Sequence, residues 1–175
     1  GNVVWGCGGD GIWFYGPGIM AYNTSALNGR SGFKGWNYDA LDGVLFTRNV
    51  GYGNALYGVN WFDLRISITE SCNNWYGNEA GGVYGRPPSC ADLARDPQFC
   101  DGGGGDFRLN SGSELVDVPG CGRTGGLGVG CGETPTLVLR FTAHRLMDVV
   151  RIACSEAEGA SASEVWLERS EMGPE

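Results

Sequence analysis

Asn49-Val50-Gly51-Tyr52-Gly53-Asn54-Ala55-Leu56-Tyr57-Gly58-Val59 decides the fold, because its skeleton recurs along the chain. An Asn, four residues, an Asn or Cys, three residues, a Gly and an apolar residue appear as Asn2/Cys7/Gly11/Ile12, Asn23/Asn28/Gly32/Phe33, Asn49/Asn54/Gly58/Val59 and Asn73/Asn78/Gly82/Val83. Glycine makes up 32 of the 175 residues, so its alignment alone carries little; the Asn that opens every copy carries more. The copies begin 21, 26 and 24 residues apart, the period of a stacked solenoid. A solenoid presents an extended surface suited to long polymers.

Short β-branched or aromatic runs precede the opening Asn at similar offsets: Ile19-Met20-Ala21-Tyr22, Val44-Leu45-Phe46-Thr47 and Ile66-Ser67-Ile68-Thr69. They are too short for helices and are bounded by Gly or Asn, so they predict strands. Asn accepts the left-handed backbone of a sharp corner. Amides stacked about 4.8 Å apart also hydrogen-bond from layer to layer. Asn2, Asn23, Asn49 and Asn73 are therefore expected to form a structural ladder at one corner of a parallel β-helix. Propeller blades of roughly 40 residues are too long for this repeat, and the leucine spacing of horseshoe repeats is absent.

The repeat resembles the coils of right-handed parallel β-helix proteins of the pectate-lyase-like superfamily. Asp96-Pro97-Gln98-Phe99-Cys100 with the stretch Gly105 to Ser113 is similar to the segment that closes the helix in secreted bacterial members, and Gly120-Cys121-Gly122 with Gly126 to Cys131 to their last turn. The resemblance implies coils over 1–85 and a closing segment over 86–134. From about residue 135 the composition changes. Leu137 to Thr142, Val149 to Cys154 and Val165 to Arg169 read as three strands of an antiparallel sandwich. This tail, 135–175, resembles the first strands of a fibronectin-III or immunoglobulin-like module, of which a whole copy needs about seven. The chain opens inside a repeat, so further coils and an export signal are expected upstream.

The net charge is −8, with a single lysine, Lys34, among the basic residues. No basic stripe recommends a nucleic-acid partner, and no apolar run is long enough to span a membrane. Seven cysteines in this Gly-rich chain point to an oxidising compartment, hence to a secreted or cell-surface protein. Cys121 and Cys131 would close one Gly-rich loop, and Cys90 and Cys100 share their spacing. Cys7 and Cys72, three coils or about 14 Å apart along the stack, are too distant to pair. Without a close Cys-x-x-Cys pair, disulfides are favoured over zinc.

Aromatic residues follow each repeat Gly, and Trp13, Tyr15, Trp36, Tyr38, Trp61 and Phe62 are the candidates for a carbohydrate-binding surface. Exposed, they form a shelf on which sugar rings stack; buried, they fill the coil. Trp5, Tyr52 and Tyr76 form another aligned set, expected to be structural. The family resemblance implies an enzymatic alternative, a polysaccharide lyase or hydrolase with carboxylates, a base and calcium above one sheet. Asp39, Asp42 and Arg65 are the catalytic candidates, with Arg30 and Lys34 nearby. A lyase base needs a raised pKa and a cation beside the substrate carboxylate. The leading expectation is non-catalytic, with no cofactor or metal: a glycan-binding or adhesive surface. A purely structural stalk is the third reading.

Overall fold

The computed structural model describes residues 1–36, 43–62, 67–132, 140–146, 149–155 and 164–166. It is all-β, a parallel β-solenoid of about five turns followed by a separate sheet. The first coil holds β1 (Val3–Trp5), β2 (Ile12–Tyr15) and β3 (Gly18–Ala21). The second holds β4 (Thr24–Ala26), β5 (Phe33–Trp36) and β6 (Val44–Thr47). β7 (Val50–Tyr52), β8 (Tyr57–Trp61) and β9 (Ile68–Ser71) follow in the third, then β10 (Asn74–Tyr76) and β11 (Gly81–Tyr84) in the fourth. Corresponding strands pair in parallel into three sheets: A is β1-β4-β7-β10, B is β2-β5-β8-β11 and C is β3-β6-β9. A fifth turn begins at Leu93, which bridges in parallel to Asn74.

The corners explain the motif. Asn2 donates its backbone N–H and its side-chain amide to Oδ1 of Asn23, both at 3.0 Å. Asn23 repeats this on Asn49 and Asn49 on Asn73, at 2.9 to 3.1 Å. The second amide hydrogen of Asn49 goes to the Met20 carbonyl and that of Asn73 to the Phe46 carbonyl. An interior Asn thus uses all its hydrogen-bonding capacity while fully buried. The second motif position builds another ladder, in which Cys7 donates its backbone N–H to Asn28, Asn28 bonds Asn54, and Asn54 bonds Asn78.

The left-handed backbone falls one residue earlier than expected. Tyr22, Arg48 and Cys72, each preceding a first-ladder Asn, have φ of 57°, 55° and 60°. Leu27, Gly53 and Gly77 do the same before the second ladder. Asn is therefore required for its amide, and the corner conformation is carried by its predecessor. The repeat glycines answer to sterics: a Cβ on Gly32 would lie 2.7 Å from the Asn54 amide, and one on Gly58 2.6 Å from the Trp75 ring.

Inside the coils, Phe33, Val44, Phe46, Val59, Trp61 and Trp75 form the core, flanked by Ile12, Phe14, Met20, Ile68 and Val83. Each fully buried side chain of this size contributes about 1.5–3 kcal/mol. Residues 93–132 continue along the outer face of sheet A. β12 (Phe99–Asp101) and β13 (Asp106–Asn110) pair antiparallel, and β14 (Val129–Cys131) joins β13 in parallel. Leu109, Leu115 and Val118 cover Val50 there. Phe99 meets Tyr52, Phe107 meets Trp5, and Tyr52 stacks on Tyr76.

The chain divides into two compact units, Gly1–Gly132 and Glu133–Glu175. In the second, β15 (Arg140–Leu146), β16 (Val149–Ser155) and β17 (Glu164–Trp166) form one antiparallel sheet in that order.

The cysteine expectations need correction. Cys72 bonds Cys121 and Cys100 bonds Cys131, each with Cα atoms 5.7 Å apart. Cys90 is free and exposed, and Cys7 is also free. Sequence spacing favoured short loops, but contact between the covering segment and the coils brings distant cysteines together.

Candidate functional site

Strand parity on sheet B sorts its aromatic residues. Ile12, Phe33, Val59 and Val83 align across four coils and turn inward. Because side chains alternate along a strand, the residues one and three places on turn outward. The first outward row is Trp13, Lys34, Asn60 and Tyr84. The second begins with Tyr15 beside Trp36 and continues to Phe62, whose ring stacks on Trp36 with centroids 4.5 Å apart. Trp13, Tyr15 and Phe62 are 47%, 60% and 57% exposed. Trp13 and Tyr15, two residues apart on β2, have centroids 6.4 Å apart.

Trp61 does not belong to this surface. It is 1% exposed and aligns with Phe14 and Gly35 in an inward row. Gly35 makes room for it, since a Cβ there would lie 2.7 Å from the Trp61 ring. Tyr38, Asp39, Asp42 and Arg65 lie outside the described residues. Of the expected binding residues, Trp13, Tyr15, Trp36 and Phe62 are brought together.

Lys34 stands on strand β5 rather than in the loop that the sequence suggests for it. Its ammonium lies 4.4 Å from the Trp13 centroid, 5.6 Å from Phe62 and 5.8 Å from Trp36. Asp10 faces it at 3.6 Å, and both side chains are nearly buried. Asp10 Oδ1 accepts the Ser31 N–H at 2.9 Å. The signal available in sequence was parity: Lys34 is one residue past Phe33, in register with Trp13.

A second charged cluster lies where the coils end. Glu70 aligns with the inward Phe46 of the previous coil, and its side chain is 1% exposed. Among the described residues, neither of its carboxylate oxygens meets a hydrogen-bond partner at full hydrogen-bond geometry, and the Asp92 carboxylate is its near neighbour. Burial, followed by the negative charge of Asp92, pushes its pKa up to about 8, and Arg86 at 3.7 Å only partly opposes this. Asp92 accepts the Trp75 indole N–H at 3.1 Å.

Among the described residues, no group of three or more His, Cys, Asp or Glu is placed to hold a metal ion. No helix there is long and apolar enough to cross a membrane. Compared with family models, curated proteins and solved structures, the chain finds no match. What fold and site define is a class by architecture: a parallel β-solenoid with aromatic rings on the outer face of one sheet.

Proposed function

We propose that this protein binds polysaccharide without cleaving it, through the outer face of sheet B. The observation that carries the reading is the convergence of Trp13, Tyr15, Trp36 and Phe62, drawn from three successive coils, on one outward surface. Exposed rings of this size cost free energy in water, and contiguous exposed patches mark places where something docks. A sugar ring offers C–H faces to an aromatic ring and hydroxyls to its polar edges, which suits Trp and Tyr. Trp36 and Phe62 spend a face on each other, so Trp13 and Tyr15 are the principal stacking positions. The row follows the solenoid axis, so a linear polymer would engage several coils.

The two disulfides support a secreted or cell-surface location, because such bonds persist in oxidising compartments. In that setting the antiparallel sheet of the second unit would begin an immunoglobulin-like or fibronectin-III-like module. Retention of the full chain on immobilised polysaccharides, with reducing ends assayed in parallel, tests the reading. Retention without new reducing ends is expected. Release of oligosaccharides would return the function to the catalytic alternative, and no retention on any glycan would leave a stalk.

A further inference from the structure

We infer that the ringed face of sheet B takes an uncharged polysaccharide, and that Lys34 acts there as a positioning residue for the rings rather than as an anion ligand. This rests on the glycan-binding reading above and specifies the chemistry of what is bound.

A lysine that recognises carboxylate or sulfate presents its ammonium to solvent, with donors free for the incoming anion. Lys34 does the opposite. Its side chain is 9% exposed, and the Trp13 ring is 4.4 Å from the ammonium. Its charge is already matched by Asp10, whose side chain is 2% exposed. A glycan carboxylate reaching Lys34 would have to move Trp13 and break the ion pair, leaving Asp10 charged, buried and unpaired. That outcome is strongly unfavourable. The chain's net charge of −8 further repels polyanions. An uncharged sugar meets neither obstacle.

The geometry gives Lys34 another role. Its ammonium is near the rings of Trp13 from the first coil, Trp36 from the second and Phe62 from the third. A cation attracted to several ring faces holds them around one point. Rings ordered before the sugar arrives lose less conformational freedom on binding. Asp10 keeps the cation seated from below.

The test is affinity electrophoresis of the full chain through gels containing a neutral β-glucan, a neutral xylan, polygalacturonate or a sulfated glycan, at low and high salt. The wild-type protein should be retarded by a neutral glycan to the same degree at both salt levels, and more than by either polyanion. Lys34→Met made together with Asp10→Asn removes both charges without stranding either. It should weaken neutral-glycan binding by about tenfold, with Lys34→Arg largely restoring it. A polyanion bound more tightly than any neutral glycan, with retardation that falls in high salt and vanishes in the double variant, would overturn the inference while leaving the glycan-binding reading intact. Neutral-glycan binding unchanged in a folded double variant would overturn the positioning role. The wild-type salt response decides the glycan class even where the double variant does not fold. Absence of retardation in every gel overturns both the inference and the reading beneath it.

Discussion

Asn73 gives both its backbone N–H and its side-chain amide to one oxygen of Asp92, at 3.0 and 3.1 Å. Every earlier rung gives the same pair of hydrogens to an asparagine. A carboxylate accepts but cannot donate, so Asp92 receives the ladder and passes no amide hydrogen onward. Its other oxygen takes the Trp75 indole, tying the end of the ladder to the core.

The ladder should therefore be strongest in its middle. Asn49→Ala strands the two Asn23 donors at a fully buried site, and each buried polar group without a partner costs about 1–3 kcal/mol. Urea unfolding of the first unit's signal should show a loss of about 2–6 kcal/mol. Asn2→Ala, at an exposed position, should cost less than half of that. Equal losses would mean that the ladder is not a cooperative stack.

Glycine in the repeat should be intolerant of even one carbon where it faces a ladder or ring. Gly58→Ala puts a Cβ 2.6 Å from the Trp75 ring and 2.7 Å from the Gly82 carbonyl. Overpacking of this kind costs about 1–3 kcal/mol. Gly8→Ala meets nothing within 4 Å and should change stability by no more than about 0.5 kcal/mol. The two thermal unfolding midpoints decide this directly.

Stability should fall as pH rises from about 4.5 to about 8. Glu70 has its folded pKa raised to about 8 from an ordinary 4.5. Between those values the unfolded chain has released the proton and the folded chain retains it. The folded state therefore binds more protons, and raising pH favours unfolding. The effect is of the order of a few kcal/mol. Glu70→Gln should flatten the dependence in that window. Asp92→Asn should lower the Glu70 pKa only partly, because burial is the leading cause. A stability profile in wild type that is flat between about pH 5 and about pH 8 would contradict the assignment.

The Cys72–Cys121 bond joins the last full coil to the covering segment across 49 residues of chain. Replacing both cysteines with serine should lower stability by about 2–4 kcal/mol. Proteolysis should then begin within 93–132, while the coils, held by their ladders, resist longer. Coils that are digested first would show that the covering segment does not depend on this tether.

The repeat was legible because identical side chains at a fixed period have one physical use in a parallel stack, and Asn2, Asn23, Asn49 and Asn73 perform it. The division of Trp61 from Phe62 was legible in principle. The inward series Ile12, Phe33, Val59 and Val83 fixes parity, and parity sends Trp61 into the space above Gly35. Lys34 was harder, since nothing local indicates that a lysine will be enclosed by rings from neighbouring coils. The disulfides were not legible: Cys72 and Cys121 meet only because residues 93–132 fold back along sheet A, a tertiary contact without a sequence period.

Trp5 and Trp13 provide the most direct test of the central claim, being 46% and 47% exposed on different sheets. Trp5 packs against Phe107 on the covered side of sheet A, whereas Trp13 stands in the outward row of sheet B. The dissociation constant for a neutral polysaccharide should be measured for Trp13→Ala and for Trp5→Ala, each checked for an unchanged fold. The account predicts at least about a tenfold loss for Trp13→Ala and little change for Trp5→Ala. Equal losses, or none for Trp13→Ala, would contradict it.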